Sequence, residues 1–436
     1  MNPLAVELNA TLKGASPALF GALSELGREF FFPKGILTQT AEARQKAHLF
    51  DATIGIAREG GHAMNLPAVM GFVRGLSPDQ VLDYAPSTGN PNLRRRWLAD
   101  MQEKNPSLAG KPVSLPVVTC GMTHGLTIAG ELFVDPGDVV ILPDKFWGNY
   151  RMVYGTRRGA EIRTFPLFTE SGGFDTGGLV RAAGEALDDR GKAVVILNFP
   201  NNPTGYSIRR GEAEGLVEGL LSITGEGRDV VVVLDDAYFG LFYEDDVFDE
   251  SLFALFAGAG EHLFPVKLDG ATKEEYAWGL RVGFITFSAV AGGREADVYG
   301  ALEKKVGGAI RGNVSNCPQL SQSILLAAMD DPGFRRQKDE KYRLMKERAL
   351  KVREVLANPA YAGAWEPYPF NAGYFMCVRL HDTDAEEFRV RLLERYGIGV
   401  IAEGGTDIRI AFSCLETGDI PTLFEKMYDC CEELRG

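Results

Sequence analysis

Four segments of the chain carry residue types that can do chemistry. In LDGATKEEYAWGLRVGFITF (268–287), Lys273 follows small residues and precedes Arg281 by eight positions. A lysine held in a cleft beside other cations has a lowered pKa and can attack a carbonyl carbon. A guanidinium clamps phosphate through its planar fork. An exposed loop with a basic residue at each end would account for the same letters. In VVVVLDDAYFGLFY (230–243), Asp235 and Asp236 follow four valines and a leucine. A carboxylate ending a buried strand needs a cationic or hydrogen-bonding partner. Asp235 is thus either a helix cap or the charge partner of a protonated heterocycle, with the Tyr238 phenol three residues on. In NFPNNPTGYS (198–207), Pro203 and Gly205 explain a tight turn. The same turn places the Asn202 amide at the carboxyl edge of a sheet, where ligands of open α/β sheets bind. In TCGMTHGLTIAGELFV (119–134), a strand ends, a glycine turns the chain and a helix begins. The backbone N–H groups of Gly121, Met122 and Thr123 then form an anion site, although many such joints bind nothing.

Alternating strands and helices must position these segments. Short apolar runs end in polar or glycine-rich turns: VVTCG (117–121), DVVILPD (138–144), AVVILNFP (193–200), DVVVVLDD (229–236) and RVGFITF (281–287). Runs of this kind are strands buried on both faces, and helices between them imply a mostly parallel covered sheet. From Gln319 to Ala357 the texture becomes helical, with a break at DDPG (330–333). A smaller α+β unit follows: strand-like GYFMCVRL (373–380), helix-like DAEEFRVRLLERYG (384–397), strand-like DIRIAFS (407–413) and a terminal helix. The first 50 residues read as helices and an arm. Together the four chemical segments supply a phosphate cradle, a carboxylate for a ring nitrogen, a polar pair for a ring oxygen and a lysine for an aldehyde. Pyridoxal 5′-phosphate presents those groups.

Composition bounds the partners. The chain has 436 residues, a length for two to three domains at about 150 residues each. Its net charge is −13, which disfavours nucleic acid and anionic membrane surfaces but not a basic pocket inside an acidic shell. Six scattered cysteines without CxxC spacing exclude a disulfide framework, and five isolated histidines without HExxH give no expectation of a metal. The start lacks a secretory pattern, and no apolar stretch approaches the roughly 18 residues of a membrane span. The expectation is a cytoplasmic protein.

The motif order GMTHG, PNNPTG, DDAY, TK, LRVG and DIRIAFS resembles the class I/II pyridoxal-phosphate aminotransferases of fold type I, nearest their aspartate/aromatic branch. DATIGIAREGGHAMNLPAV (51–69) is similar to that branch's substrate-side loop, with Gly55 at its glycine. YAPSTGNPNLRRRW (84–97) resembles its next motif. The resemblance implies an α/β fold: a large domain with a mostly parallel seven-stranded sheet covered by helices, and a smaller α+β domain. The corresponding division is 1–70 (arm and part of the small domain), 71–317 (cofactor domain) and 318–436 (linking helix and small domain). It implies that Lys273 bonds the cofactor aldehyde and moves the proton, and that Asp235 pairs with the pyridinium nitrogen. Asn202 and Tyr238 would hold the ring oxygen. Gly121, Met122, Thr123, Thr272 and Arg281 would form the phosphate cup. Trp147 would stack on the ring, and Tyr84 would reach the phosphate from a second subunit of a homodimer. Arg409 would grip the substrate α-carboxylate, and Arg311, in IRGNVSNCP (310–318), would cross the interface to a distal carboxylate. Gly55, Trp147 and Asn202 would line the substrate side as well.

The implied reaction moves an amino group from an amino acid, one of aspartate, glutamate or an aromatic, to a 2-oxo acid such as 2-oxoglutarate. A lyase or decarboxylase on the same fold, or a non-catalytic regulator module, are the alternatives. Three positions depart from the family pattern. Gly270 stands where a serine near the phosphate is usual, implying one hydrogen bond fewer. Met122 is large for its place and His124 follows it. Glu274 and Glu275 directly follow the lysine and are expected to face solvent or another loop.

Overall fold

The computed structural model describes residues 1–31 and 35–435. Seven strands form the central sheet: β1 (Val117–Thr119), β2 (Val139–Pro143), β3 (Glu161–Phe165), β4 (Lys192–Asn198), β5 (Asp229–Asp235), β6 (Leu263–Gly270) and β7 (Gly283–Phe287). Their spatial order is β1-β7-β6-β5-β4-β2-β3. All neighbours from β6 to β3 are parallel, whereas β7 runs antiparallel to both β6 and β1. The sheet is therefore mostly parallel, as the buried runs and the resemblance imply.

Alternation of side chains across the sheet builds two cores. Val194, Ile196, Val231 and Val233 face one. Val195, Leu197, Val230, Val232 and Leu234 face the other. Helices cover both faces, because strands apolar on both sides must be shielded from water twice. Helices Thr176–Arg190 and Arg210–Ile223 contribute Leu179, Ala183, Leu216 and Leu220 to the second core. Helices Met122–Phe133, Gln319–Met329 and Phe334–Leu356 contribute Leu126, Leu325 and Met345 to the first.

The carboxyl-terminal part carries a second sheet of β8 (Trp365–Pro367), β9 (Met376–Leu380), β10 (Ile401–Glu403) and β11 (Asp407–Ile410). Its order is β8-β9-β11-β10, antiparallel throughout. The DDPG break separates helix Gln319–Met329 from helix Phe334–Leu356. Helix Ala385–Tyr396 starts on the Asp384 side chain, which accepts from Glu386 N and Glu387 N, and stops at left-handed Gly397. Near the other chain end, Phe50–Asp51 pairs in parallel with Ile398–Gly399, and Ala411 N donates to the Ala52 carbonyl. Both chain ends therefore meet in one unit. The first 50 residues include helices Pro3–Ala15, Pro17–Ala22, Glu25–Glu29 and Ile36–Lys46. Among the described residues, no helix is long and apolar enough to cross a membrane.

Candidate active site

At the carboxyl ends of the parallel strands lies a cavity of ≈ 240 Å³. Its lining includes Gly55, Met122, Thr123, Trp147, Asn202, Asp235, Tyr238, Thr272, Lys273, Arg281 and Arg409, each of them singled out in the sequence. Strand order explains the convergence. Asp235 ends β5, Asn202 lies just beyond β4, Lys273 follows β6, and Arg281 lies two residues before the reversed strand β7.

Lys273 sits in the single helical turn Ala271–Glu274. Its Nζ lies 4.8 Å from the centroid of the Tyr238 ring. Burial in the cavity wall lowers its pKa to about 8; the Arg281 charge acts in the same direction and Asp235 opposes it. Asp235 is 3% exposed. Its Oδ2 accepts from the Tyr150 hydroxyl at 2.6 Å and its Oδ1 from Ala237 N at 3.2 Å. Burial raises the Asp235 pKa, while the Tyr150 hydrogen bond and the Lys273 charge pull it back. Asn198 fixes the end of the strand by donating Nδ2 to the Asp235 carbonyl at 2.8 Å, and its Oδ1 accepts from Asn202 N at 2.9 Å. The buried Tyr238 ring packs edge-on against Tyr374 and Phe375, each at 5.5 Å, and burial raises its phenol pKa. Trp147 meets Tyr150 edge to face at 5.6 Å.

Gly121 opens helix Met122–Phe133 with φ 76°, and no side chain caps that end. A Cβ on Gly121 would stand 2.5 Å from Arg281 Nη2, so only glycine admits the guanidinium there. Cys120 N donates to Nδ1 of His124 at 3.0 Å, and burial lowers the His124 pKa. The ring therefore accepts, as a neutral imidazole, from the residue before the helix and leaves the helix's own first N–H groups uncapped. Thr272 Oγ1 is buried without a hydrogen-bond partner.

Arg409, on β11, is 1% exposed. Its Nη2 donates to the Thr53 carbonyl at 2.8 Å and its Nη1 to Asn202 Oδ1 at 3.1 Å, while the guanidinium carbon lies 4.4 Å from the Phe375 ring centroid. Its Nε is buried without a partner. Glu403 is near enough to feel its charge, yet Arg409 has no ion pair among the described residues.

Three predicted residues do not line the cavity of this chain: Gly121, which opens the helix behind Arg281, Tyr84 and Arg311. Tyr84 is 90% exposed, and Arg311, near the end of helix Glu295–Asn313, donates to Ser315 Oγ at 2.6 Å. The expectation for Glu274 and Glu275 needs correction where it allowed a solvent-facing position. Both are buried and paired with Lys104 and Lys338 from two helices. The Gly270 departure also has a local cause. A Cβ there would stand 2.6 Å from the Val282 carbonyl oxygen, because β6 and β7 approach closely at that register. The lining further includes Ile36, Tyr150, Asn198, Ala237 and Phe375, which sequence reasoning did not single out. Spacing offers a clue for Tyr150, three residues after Trp147, and for Asn198, the first residue of the NFPNNPTG turn. Ile36 carries no local signal.

Residues 57–427 match the family model described as aminotransferase class I and II. An aspartate aminotransferase of Sulfurisphaera tokodaii is 24% identical over 349 residues, spanning 76% of this chain and 78% of that protein. An arginine–pyruvate transaminase of Pseudomonas aeruginosa is 25% identical over 345 residues, 73% of each. The fold matches the cytoplasmic aspartate aminotransferase of Saccharomyces cerevisiae with a TM-score of 0.79 at 20% identity, covering 96% of this chain and 100% of the other. An Anaerococcus prevotii aminotransferase matches at 0.82 and 22% identity, covering 94% and 98%. The chain belongs to the class I and II aminotransferases, the pyridoxal-phosphate-dependent transaminases of fold type I.

Proposed function

We propose that this enzyme transfers the amino group of aspartate, glutamate or an aromatic amino acid to a 2-oxo acid such as 2-oxoglutarate. The observation that carries the reading is the buried, ion-pair-free guanidinium of Arg409 in the same cavity as Lys273. A planar carboxylate suits that fork, and a buried charge without a counter-ion favours an anionic ligand. Pyridoxal phosphate fits the remaining lining. The uncapped helix end at Gly121, the partnerless Thr272 hydroxyl and Arg281 suit its phosphate, and Asp235 suits its ring nitrogen. When bound, the cofactor supplies an electron sink for the bond broken at the substrate α-carbon.

The side chains do the rest. Arg409 orients the α-carboxylate. Asp235, which accepts from Tyr150, would keep a proton on the ring nitrogen. Tyr238 and Asn202 hold the ring oxygen, and Trp147 fixes the ring plane. Lys273 would hold the cofactor through its aldehyde, and with its pKa near 8 its Nζ would take the substrate α-proton and deliver it to the cofactor's aldehyde carbon. Gly55 and Phe375 narrow the substrate side of the cavity.

The same reading makes residues 71–317 the cofactor domain, with 1–70 and 318–436 forming the arm, the link and the small domain. It takes the chain as a cytoplasmic homodimer. The exposure of Tyr84 and of the apolar side chains Met70, Leu82, Val314 and Leu320 supports that reading. Tyr84 and Arg311 then reach the neighbouring site. Relatives named for aspartate, aspartate/prephenate and arginine–pyruvate transfer leave the donor to experiment. A panel of amino acids mixed with the cofactor-loaded enzyme, followed by cofactor absorbance and 2-oxo acid formation, tests the proposal. Conversion by aspartate, glutamate or an aromatic amino acid supports it. Ammonia or CO₂ release without 2-oxo acid would point instead to elimination or decarboxylation, and failure of all these donors would overturn it.

A further inference from the structure

Behind the turn that carries Lys273 lies a buried cluster of charges. Asp100, Glu274 and Glu275 each place a carboxylate oxygen within 4.8 Å of the others. Lys104, at the end of helix Pro91–Lys104, pairs with Asp100 and Glu274 and lies 3.7 Å from Glu275. Lys338, in the second turn of helix Phe334–Leu356, reaches Glu275 at 2.8 Å and Glu274 at 3.3 Å. Arg96 lies 3.8 Å from Asp100. Lys267, on interior strand β6, is buried between Asp236 and Asp269 and lies close enough to Glu274 to act on its charge. Two ammonium groups already occupy the space among the three carboxylates, which argues against a cation site.

The backbone of Lys273 is held from its other side as well. Its carbonyl accepts from the Tyr374 hydroxyl at 3.2 Å and from Tyr276 N at 3.2 Å. Tyr276 is a buried non-glycine residue with φ 52°, a conformation that persists where the surroundings over-determine it. Helix Phe334–Leu356 also reaches the region of Arg409. Ten residues after Lys338, about 15 Å along the axis, Arg348 donates to the Ser413 carbonyl and to Glu416, both at 2.7 Å. One rigid element thus grips the residues following Lys273 and the segment following Arg409.

We propose that Lys338, assisted by Lys104, is a positioning residue for Lys273: the two ammonium groups clamp Glu274 and Glu275 and tie the reactive turn to the helix that also holds the Arg409 side. The carboxylates are buried, whereas the Lys104 and Lys338 side chains keep 25% and 19% of their surface exposed, so removing an ammonium strands a buried negative charge and loosens the turn. Glu275 Oε2 has no hydrogen-bond partner, so its charge depends on these ammonium groups alone.

The test uses the cofactor-loaded enzyme and K338M. Backbone hydrogen exchange over residues 271–277 is expected to speed by about tenfold or more, a local opening that a rigid turn resists. Turnover is expected to fall about tenfold with KM for the donor changed less than about twofold, the pattern of a misplaced catalytic group. K338R should restore both. A K338M protein that melts at lower temperature yet keeps wild-type exchange over 271–277 would overturn the proposal. Should K338M not fold, E275Q keeps the volume and removes the gripped charge; unchanged exchange in that variant would overturn it equally. The turnover arm rests on the transaminase reading, whereas the exchange arm does not. Wild-type enzyme inactive with every donor would reject that reading and leave the exchange result to decide the clamp.

Discussion

The hydroxyl of Tyr150 donates to Oδ2 of Asp235 at 2.6 Å in the cavity wall, where both side chains are buried. This bond favours the carboxylate over the acid against the burial that raises the Asp235 pKa. Y150F should therefore ease protonation of Asp235 and weaken its hold on a ring nitrogen. Turnover should drop about tenfold, and stability should fall by about 1–3 kcal/mol for a buried acceptor left unpaired. Steady-state kinetics and urea unfolding of the two proteins check both figures.

Removing the amine should stop the chemistry while sparing the fold. K273A is expected to lose at least about 10²- to 10⁴-fold in 2-oxo acid formation, the range for a positioned general base. Retention of full transamination by K273A would contradict the assignment of Lys273.

The lowered pKa of Lys273 has a definite sign. Only the neutral amine attacks an aldehyde, and the neutral fraction grows as pH rises through about 8. Capture of pyridoxal phosphate by the cofactor-free protein should accelerate through that pH and then level off. A lysine at its ordinary value would still be accelerating there. Absorbance-monitored reconstitution across a pH series gives the midpoint directly.

Arg409 offers two geometrically fixed donors, which a lysine cannot reproduce. R409K should lower kcat/KM by about 100-fold, roughly 3 kcal/mol, for every donor carrying an α-carboxylate. Initial-rate kinetics with amino acids and with the corresponding simple amines separate the two groups. The simple amines should be nearly indifferent to the substitution.

Installing the serine usual in the family at Gly270 should not strengthen phosphate binding. The new Cβ would press on the Val282 carbonyl 2.6 Å away, and G270S should cost about 1–3 kcal/mol. Thermal unfolding of the cofactor-free protein isolates this effect from any change at the phosphate.

Much of this architecture was legible in the letters because buried parallel strands are written as plain apolar runs. Where the sheet departs from that rule, the reading failed. β3 (EIRTF) lies at the sheet edge and keeps polar side chains in water. β6 (LFPVKLDG) hides a buried strand behind Lys267 and Asp269, charges tolerated because they pair with each other and with Asp236. Glu274 and Glu275 were misjudged for a similar reason. Their partners Lys104 and Lys338 lie 170 and 64 positions from Glu274, and no local pattern announces them. The residues lining the cavity were legible where motifs placed them after a strand. Tyr150 acts through Asp235, 85 positions away, so its closeness to Trp147 in the sequence does not disclose its role.

The reversed strand β7 has a consequence for how this site tolerates change. Because β6 and β7 are antiparallel, Lys273 and Arg281 belong to one hairpin connection, not to two separate crossovers. The connection runs over residues 271–282, and Lys273 and Arg281 lie near its two ends. The amine and the guanidinium are thus spaced by a short tether anchored at both ends in the sheet. Lengthening that tether by even one residue would shift one group against the other. This connection therefore leaves evolution little room for insertion.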